Sequence, residues 1–288
     1  MKILVLGKNG YISRCFQNYM KKFPEVEIKV VSVRDNIWKG YSFRGYDVVF
    51  NATGLAHNDA RKGTEKEFID LNVLLPGELA KKAKEEGVTT FIHMSSLIVY
   101  GQAASIGKFY PITEDTLPNP DNIYGKSKLL GEKEILKNED DKFKVAIIRS
   151  GRVYGENDTD TIKQLVDYAK TMPFFPNIKN SISMIYADNL CELIRLIAKN
   201  RRGGIYYPQQ EDYICTSQMV KDISTAYGHS LFLTKIFNPI LIFLGNKIRI
   251  ISKVFGNEAY DLKISNHFEG RYRVVSYEES IKRLVNKK

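Results

Sequence analysis

Cysteine and histidine are scarce in this chain of 288 residues. The three cysteines, Cys15, Cys191 and Cys215, lie far apart, and no two of the four histidines have the spacing of a helical metal site. The sequence therefore predicts neither a bound metal nor a disulfide framework. It favours free cysteines buried in a protein of the reducing cytoplasm.

Long apolar runs are also missing, and the first residues lack the pattern of a secretion signal. Residues 231–256 come nearest to a membrane segment, but their longest uncharged run ends after eleven residues and contains Pro239. That is too short for a bilayer core of about 30 Å. We interpret the segment as two helices packed on the rest of the protein, and a basic anchor on a membrane surface is the less favoured alternative.

Charge is not balanced, because 43 Lys and Arg face 33 Asp and Glu, which gives a formal net charge of +10. A basic surface attracts nucleic acid, anionic membranes or phosphorylated ligands. No Lys/Arg run exceeds two residues, and basic residues do not alternate with aromatic ones as in single-strand binding proteins. The pattern argues against nucleic acid as a partner and favours a small polyanion.

Apolar strand-like segments alternate with helical patterns in the first half of the chain. Strands that are almost wholly apolar and separated by helices require a parallel sheet covered on both faces. We therefore predict an α/β, Rossmann-like doubly wound sheet in a nucleotide-binding domain of residues 1–155. Its strands are predicted at residues 3–6, 26–33, 47–52, 88–96 and 143–150.

The rhythm loosens after residue 155. Helical patterns there are joined by irregular segments with a single strand-like piece, "GIYYP" at residues 204–208. This predicts a smaller, mixed C-terminal lobe of residues 156–288 that binds the substrate and is partly interleaved with the first domain. The helices are predicted at residues 161–170, 189–200, 217–227 and 278–285.

The stretch "GKNGYIS", residues 7–13, joins the first strand to the first helix. Gly7 permits a tight turn, Gly10 lets the backbone approach a phosphate, and the following helix presents free N–H groups to a pyrophosphate. Ser13 stands where a third glycine would pack helix against strand, and it is small enough for that position. The motif alone is weak, so a turn without a ligand remains the alternative.

Arg34 and Asp35 follow the second strand. A carboxylate at this position holds the ribose hydroxyls of NAD, whereas a nearby cation accommodates the 2′-phosphate of NADP. The sequence supplies both groups and leaves the choice of cofactor open.

Tyr124 and Lys128 lie four residues apart in "YGKSK", so on a helix they share one face. A phenol has a pKa near 10, and a neighbouring ammonium group would stabilise the phenolate for acid–base work. Ser96 ends the fourth strand, at the edge of a parallel sheet where ligands bind. Its hydroxyl could hold the substrate oxygen that Tyr124 protonates or deprotonates.

The chain resembles the extended short-chain dehydrogenase/reductases, the NAD-dependent epimerase/dehydratase family. The resemblance covers residues 1 to about 195 and implies a catalytic set of Ser96, Tyr124 and Lys128. Ser96 is chosen over Ser95 because the family's hydroxyl stands four residues before the tyrosine of "VYG". The matching segments are "GKNGYI", "NATG", "LNV", "SSLIVYG", "YGKSKLLGE", "RSGRVYG" and "SMIYADNL". The implied contacts with NAD or NADP are Gly7, Asn9, Gly10, Tyr11, Ile12, Arg34, Asp35, Ala52, Asn72, Tyr124 and Lys128.

The departures from the family pattern narrow the chemistry. Leu97 and Ile98 stand where sugar-nucleotide 4,6-dehydratases carry an acid pair, so elimination of water is disfavoured. Substrate contacts are implied for Ser96, Tyr124, Arg152 and Ser183. His57, just after the third strand, is interpreted as a turn residue in preference to a substrate contact.

The leading hypothesis is an NAD(P)-dependent UDP-hexose 4-epimerase that works through a transient 4-keto sugar. An NADPH-dependent nucleotide-sugar 4-ketoreductase would use the same residues. A non-catalytic dinucleotide-binding relative is the third hypothesis. The family also implies a homodimer through two helices per subunit, which we expect to begin near Glu65 and Tyr124.

Overall fold

The computed structural model describes residues 1–55, 63–101, 104–156, 161–245 and 247–286. His57 lies outside these residues. The chain divides into two compact units, each built from three segments. We call them the sheet unit, Met1–Gly101 with Leu117–Ser150 and Leu190–Tyr207, and the second unit, Gln102–Thr116 with Gly151–Asn189 and Pro208–Lys288.

A six-stranded parallel sheet forms the centre of the sheet unit, with the strand order β2-β1-β3-β4-β5-β9. Four consecutive residues of β3 are fully buried, as expected for a strand covered on both faces. The predicted Rossmann-like doubly wound fold is therefore confirmed. The strands are β1 Lys2–Leu6, β2 Glu27–Val31, β3 Val48–Asn51, β4 Thr90–Ser96, β5 Lys144–Ser150 and β9 Gly204–Tyr206.

Helices cover both faces of this sheet. An apolar stripe on α1 buries Phe16, Tyr19 and Met20. On the other side, side chains of α4, α5 and the neighbouring strands form one apolar cluster that includes Leu79, Ala83 and Ile135. The helices are α1 Tyr11–Met20, α2 Ile37–Gly40, α3 Glu65–Ile69, α4 Leu75–Glu85, α5 Ile123–Leu136 and α7 Ala187–Asn200.

The segment from Glu65 to Glu85 is not one regular helix. Thr64 and Glu67 form a capping box that fixes its start. A π-helical turn, Asp70–Leu74, then separates α3 from α4, and Pro76 lies in the first turn of α4. A proline inside a helical pattern predicts a kink or a fresh helix start. The backbone instead stays helical through Leu74 and Leu75, and the irregularity at this place is the π-helical turn just before the proline.

The second unit contains two two-stranded parallel sheets, β6-β8 and β10-β7. The expectation of a single strand-like piece after residue 155 is wrong, because β7, β8 and β10 are also present there and the predicted piece belongs to the sheet unit as β9. Strands of three residues are too short to show a period of two. The elements are β6 Arg152–Tyr154, α6 Thr161–Thr171, β7 Phe174–Pro176, β8 Met184–Tyr186, α8 Thr216–Ala226, β10 Phe232–Thr234, α9 Asn238–Gly245, α10 Arg249–Phe255 and α11 Tyr277–Val285.

Residues 231–256 form β10, α9 and α10. The expected pair of helices is present, and Leu241, Ile251 and Phe255 pack against the apolar core of the second unit. Many other apolar side chains of this segment are exposed, which the expectation of packed helices did not include. Across the described parts of the chain, every helix is too short or too polar to cross a bilayer.

Candidate active site

The order of the strands places one ligand-binding crevice in the sheet unit. β1 lies between β2 and β3, so the chain leaves β1 toward one edge of the sheet and then returns past it toward the other. In open parallel sheets, ligands bind outside the carboxyl ends of the strands at such a switch point. Gly7 directly follows β1 and Ala52 directly follows β3, and both therefore lie at this point.

The geometry of the glycine loop fits a dinucleotide pyrophosphate. Gly7 has φ +106°, and a Cβ atom there would lie 3.1 Å from Cγ2 of Thr53 and 3.3 Å from the carbonyl of Ala52. Only glycine fits this turn. Gly10 is the N-cap residue of α1, and no acidic side chain occupies the first turn, so the helix presents its N–H groups and positive dipole end to an anion.

The neighbouring predicted residues take different places. Asn9 lies exposed in the turn before α1, whereas Tyr11 and Ile12 are half-buried at its start. Ser13 is fully buried, which places a small side chain at the position where a third glycine would allow helix and strand to pack closely.

Arg34 and Asp35 lie in a short 3₁₀ turn beyond the end of β2. Both side chains are exposed, and Asp35 and Asn36 have φ values of +56°, a left-handed conformation that Asp and Asn tolerate better than most residues. The backbone N–H of Arg34 donates to Oγ of Ser32 at 3.2 Å. The carboxylate and the guanidinium group both lie beyond the end of β2, so the structure leaves the choice between NAD and NADP open.

Asn72 is fully buried in the π-helical turn, where it joins two parts of the site. Its Oδ1 accepts a 2.8 Å hydrogen bond from the backbone N–H of Leu55, and its Nδ2 donates to Oγ of Ser127 at 3.0 Å. Asn72 therefore holds the loop after β3 against α5. The resemblance implied a cofactor contact for this side chain, and the structure shows its bonds to the protein.

Gly54 was not assigned a role from the sequence, although it lies in the quoted "NATG" segment. Its φ is +144°, and a Cβ atom there would lie 2.9 Å from Nζ of Lys128 and 3.0 Å from Oδ1 of Asn72. The absence of a side chain at this position lets the loop after β3 approach the ammonium group of Lys128.

Tyr124 and Lys128 lie one turn apart on α5, as the sequence predicts. Asn122 caps this helix by accepting a 2.9 Å hydrogen bond from the N–H of Gly125. A Cβ atom on Gly125 would lie 2.8 Å from the carbonyl oxygen of Ile98, so the glycine allows α5 to touch the 3₁₀ turn that follows β4. This close packing brings the tyrosine to the end of β4.

Ser96 and Tyr124 are hydrogen-bonded through their side chains. Ser96 also caps the turn after β4 by accepting from the N–H of Ile98 at 3.3 Å. The hydroxyl of the adjacent Ser95 instead donates to Oε1 of Glu132. Successive side chains of a strand point to opposite faces, so only one of the two serines meets the tyrosine, and that residue is Ser96.

Burial shifts the two titrating groups of the set in opposite directions. It raises the pKa of the Tyr124 phenol, and the hydrogen bond with Ser96 opposes this rise. It lowers the pKa of Lys128 to about 8, and the negative charge of Glu132 opposes that fall. Nζ of Lys128 donates a 2.9 Å hydrogen bond to the carbonyl of Met94. The ammonium group thus lies in a site where small changes in charge alter its protonation.

A buried cluster next to this set was missed in the sequence. Arg149 donates to both carboxylate oxygens of Glu132, at 2.7 Å from Nη2 to Oε2 and 3.1 Å from Nε to Oε1, and to the hydroxyl of Tyr100 at 2.7 Å. Ser95 is the further donor to Glu132. The available signal was the position of Glu132, one helical turn after Lys128.

Arg152 is the first residue of β6, and Ser183 directly precedes β8, the strand with which β6 pairs in the second unit. The backbone N–H of Arg152 donates to the carbonyl of Ser183 at 3.1 Å. Nη2 of Arg152 contacts the carbonyl of Lys253 at 2.6 Å and a carboxylate oxygen of Glu258 at 3.4 Å. The Ser183 hydroxyl is fully buried and donates to Gln209. The structure thus brings these two of the four predicted substrate residues together, with the Ser183 hydroxyl bonded inside the protein.

Comparison with known proteins identifies the family to which the chain belongs. Residues 3–213 match the NAD dependent epimerase/dehydratase family, so the chain belongs to that family. The family resemblance seen in the sequence is confirmed, as is NAD or NADP as the cofactor.

Individual relatives differ in what they are named for. A UDP-glucose 4-epimerase of Vibrio cholerae is 28% identical, with 55% of this chain and 50% of the relative covered. Methionine adenosyltransferase 2 subunit beta of Bos taurus is 38% identical, with 60% and 52% covered. The solved dTDP-4-dehydrorhamnose reductase of Clostridium acetobutylicum superposes with a TM-score of 0.75 at 20% identity, covering 99% of this chain and 98% of that one. The chain spans about half the length of the curated relatives it matches.

Proposed function

We propose that this chain is an NAD(P)-dependent enzyme that modifies a nucleotide-linked hexose, and that it is a UDP-hexose 4-epimerase. The observation that carries the proposal is the gathering of Ser96, Tyr124 and Lys128 at the carboxyl ends of the sheet strands. A hydroxyl, a phenol and an ammonium group in this arrangement suit proton transfer at a sugar hydroxyl.

Tyr124 is proposed as the catalytic acid and base. Its oxygen would take the proton from the substrate hydroxyl as the sugar is oxidised and return it as the sugar is reduced. The Ser96 hydroxyl, already bonded to Tyr124, would hold the same substrate oxygen. When bound, the nicotinamide cofactor supplies the acceptor and donor of hydride.

Lys128 is proposed to make the phenolate accessible. Burial raises the pKa of Tyr124, which by itself would keep the phenol protonated at neutral pH. A cation on the same helical face offsets that effect when the phenolate forms. The position of Lys128 next to Gly54 also suits a contact with the nicotinamide ribose.

The residues after Ser96 support epimerisation or reduction over dehydration. Leu97 is buried and Ile98 offers only an aliphatic side chain, so neither can act as the acid that protonates a leaving hydroxyl. An NADPH-dependent 4-ketoreductase uses the same three residues, and the exposed Arg34 favours this second candidate because it can meet a 2′-phosphate.

The sheet unit is proposed to bind the cofactor, and Arg152 of the second unit to recognise the UDP moiety, with the buried Ser183 holding the backbone N–H of Arg152. An arginine presents five N–H donors that match the oxygens of a diphosphate. Both side-chain contacts described above for Arg152 use Nη2, so neither of them involves Nε or Nη1.

A non-catalytic role is the competing hypothesis, and the similarity to a protein named as a subunit of methionine adenosyltransferase favours it. The decisive assay supplies UDP-glucose or UDP-N-acetylglucosamine to the purified protein without added cofactor. Epimer formation supports the epimerase. Turnover only with NADPH and a 4-keto sugar supports the reductase, and no turnover with either supports the non-catalytic role.

A homodimer is proposed through the helices of the sheet unit. Leu71 and Leu74 of the π-helical turn and Leu130 of α5 are exposed, although each is a large apolar side chain. The two helical segments pack against each other at Gly131, where a Cβ atom would overlap the carbonyl of Asn72. Such a pair of neighbouring helices with exposed leucines suits contact with a second copy.

A further inference from the structure

The second unit exposes an unusual number of large apolar side chains within one short segment. Ile236 is 80% exposed and Phe232 is 71% exposed, and Ile240, Phe243 and Ile250 each expose more than half of their surface. Single exposed apolar residues are common on monomeric proteins, but a concentration of this kind marks an interaction surface. We call residues 231–256 the apolar segment.

The helix at the centre of this segment has two different faces. Ile240 and Phe243, three residues apart on α9, share the exposed face. Leu241 and Leu244 are half-buried, and Leu241 packs on the core of the second unit. The fold therefore holds one face of α9 against the protein and turns an apolar face outward.

The charge of the segment indicates what the exposed face meets. Residues 223–257 contain four basic residues, Lys235, Lys247, Arg249 and Lys253, and no Asp or Glu. Lys235 and Lys247 are exposed, and Nζ of Lys247 lies 4.5 Å from the centre of the Phe243 ring. Cations thus border the apolar face directly, an arrangement that matches a surface with hydrocarbon below and phosphates above.

We propose that the apolar segment docks this protein onto an anionic lipid bilayer. Ile240, Phe243 and their neighbours would enter the boundary between headgroups and acyl chains, and Lys235 and Lys247 would contact lipid phosphates. The helix α9, eight residues long, would lie in the plane of the interface. A second copy of the chain fits less well, because it would bring the same cations to the contact with no carboxylate from this segment to meet them.

The direct test is flotation of the full chain with vesicles of phosphatidylcholine that contain phosphatidylglycerol. Wild-type protein is expected to float with these vesicles and to bind several-fold less to vesicles of phosphatidylcholine alone. Binding is expected to weaken as salt is raised, since the attraction between the lysines and the headgroups is screened. Failure of the wild type to float with anionic vesicles would overturn the proposal.

Two variants separate the apolar and the ionic contributions. Ile240→Ser with Phe243→Ser is expected to lower the fraction bound at least about tenfold, because two side chains no longer enter the apolar layer. Lys235→Gln with Lys247→Gln is expected to remove the preference for anionic vesicles. Leu117→Ser is the matched control, because Leu117 is 82% exposed and lies outside the apolar segment.

The control also guards against a general effect of surface hydrophobicity. Equal loss of binding in Leu117→Ser and in the Ile240/Phe243 variant would overturn the proposal. So would a lipid-free dimer, seen by light scattering, that becomes monomeric in the Ile240/Phe243 variant while no form binds vesicles. Thermal unfolding of each variant near the wild-type temperature verifies that the fold is intact.

Discussion

Lys128 donates a hydrogen bond of 2.9 Å from Nζ to the carbonyl oxygen of Met94, two residues before Ser96 on β4. This bond joins the catalytic face of α5 to the strand that carries the serine. The helix and the strand are therefore fixed relative to each other through a side chain that is itself proposed to act in the reaction.

Tyr124 is the proposed acid and base of the site. Tyr124→Phe removes the phenol but keeps the ring, and we expect turnover to fall by about 10²-fold to 10⁴-fold, the usual contribution of a positioned acid–base group. Cofactor content, measured by mass spectrometry after denaturation, is expected to stay unchanged. Tyr110→Phe is the matched control, since Tyr110 is strongly exposed. Unchanged turnover in Tyr124→Phe would exclude the proposed mechanism.

The buried Lys128 should make the stability of the protein depend on pH. Burial lowers the pKa of Lys128 to about 8, below its usual value of 10.5. Between these values the unfolded chain binds more protons at this position than the folded protein, so this lysine makes the free energy of unfolding rise with pH. We expect wild-type protein without cofactor to gain stability from pH 8 to 9.5 relative to Lys128→Met, measured by urea unfolding. Parallel curves for the two proteins would contradict the shift.

Glu132 and Arg149 form a buried ion pair next to the proposed catalytic residues. Glu132→Gln leaves the buried guanidinium group of Arg149 without its carboxylate, and we expect a loss of about 3–5 kcal/mol in the free energy of unfolding. Glu134→Gln on the same helix removes an exposed pair with Lys137 and should cost at most about 1 kcal/mol. Equal losses in the two variants, measured by denaturant unfolding, would show that the buried pair has no special weight.

The same substitution has a second readout. Glu132 raises the pKa of Lys128, so its neutralisation should move that pKa further down. We expect the pH profile of turnover in Glu132→Gln to shift toward acid, which loss of stability alone does not produce.

The close approach of Gly54 to Lys128 should be needed for activity. Gly54→Ala places a Cβ atom 2.9 Å from Nζ of Lys128, so the ammonium group must move and turnover should fall at least about tenfold. Gly45→Ala is the matched control, because Gly45 also has a positive φ, +81°, but its added Cβ meets nothing within 4 Å. Both variants should lose stability through backbone strain, and only Gly54→Ala should lose activity. Equal activities would argue against the close approach.

The proposed homodimer can be tested at Leu74. Leu74→Glu introduces a charge into the exposed apolar face of the sheet unit, where Leu74 is 52% exposed. Wild-type protein is expected to be dimeric by light scattering, and the variant monomeric with an unchanged thermal unfolding of the monomer fold. Leu117→Ser again serves as a control. A monomeric wild type would contradict the proposed dimer.

Much of the sheet unit could be predicted from the sequence because its signals are local. The strands β1, β3, β4 and β5 are apolar runs between helical patterns, and each begins and ends within two residues of its predicted bounds. Glycine at position 7 reports a backbone conformation that other residues rarely adopt, so it too is readable from the chain. The three-residue strands β6, β7 and β8 carry no comparable signal.

The sequence by itself determined which groups can act, because the types of residue and their spacing on one helix place a phenol and an ammonium group on a common face. Only the tertiary structure decided that Ser95 meets Glu132, that Gly54 touches Lys128, and that the apolar face of α9 points outward. These relations join residues that are distant in the chain. They depend on the packing of several elements at once, and no local pattern of residues encodes that packing.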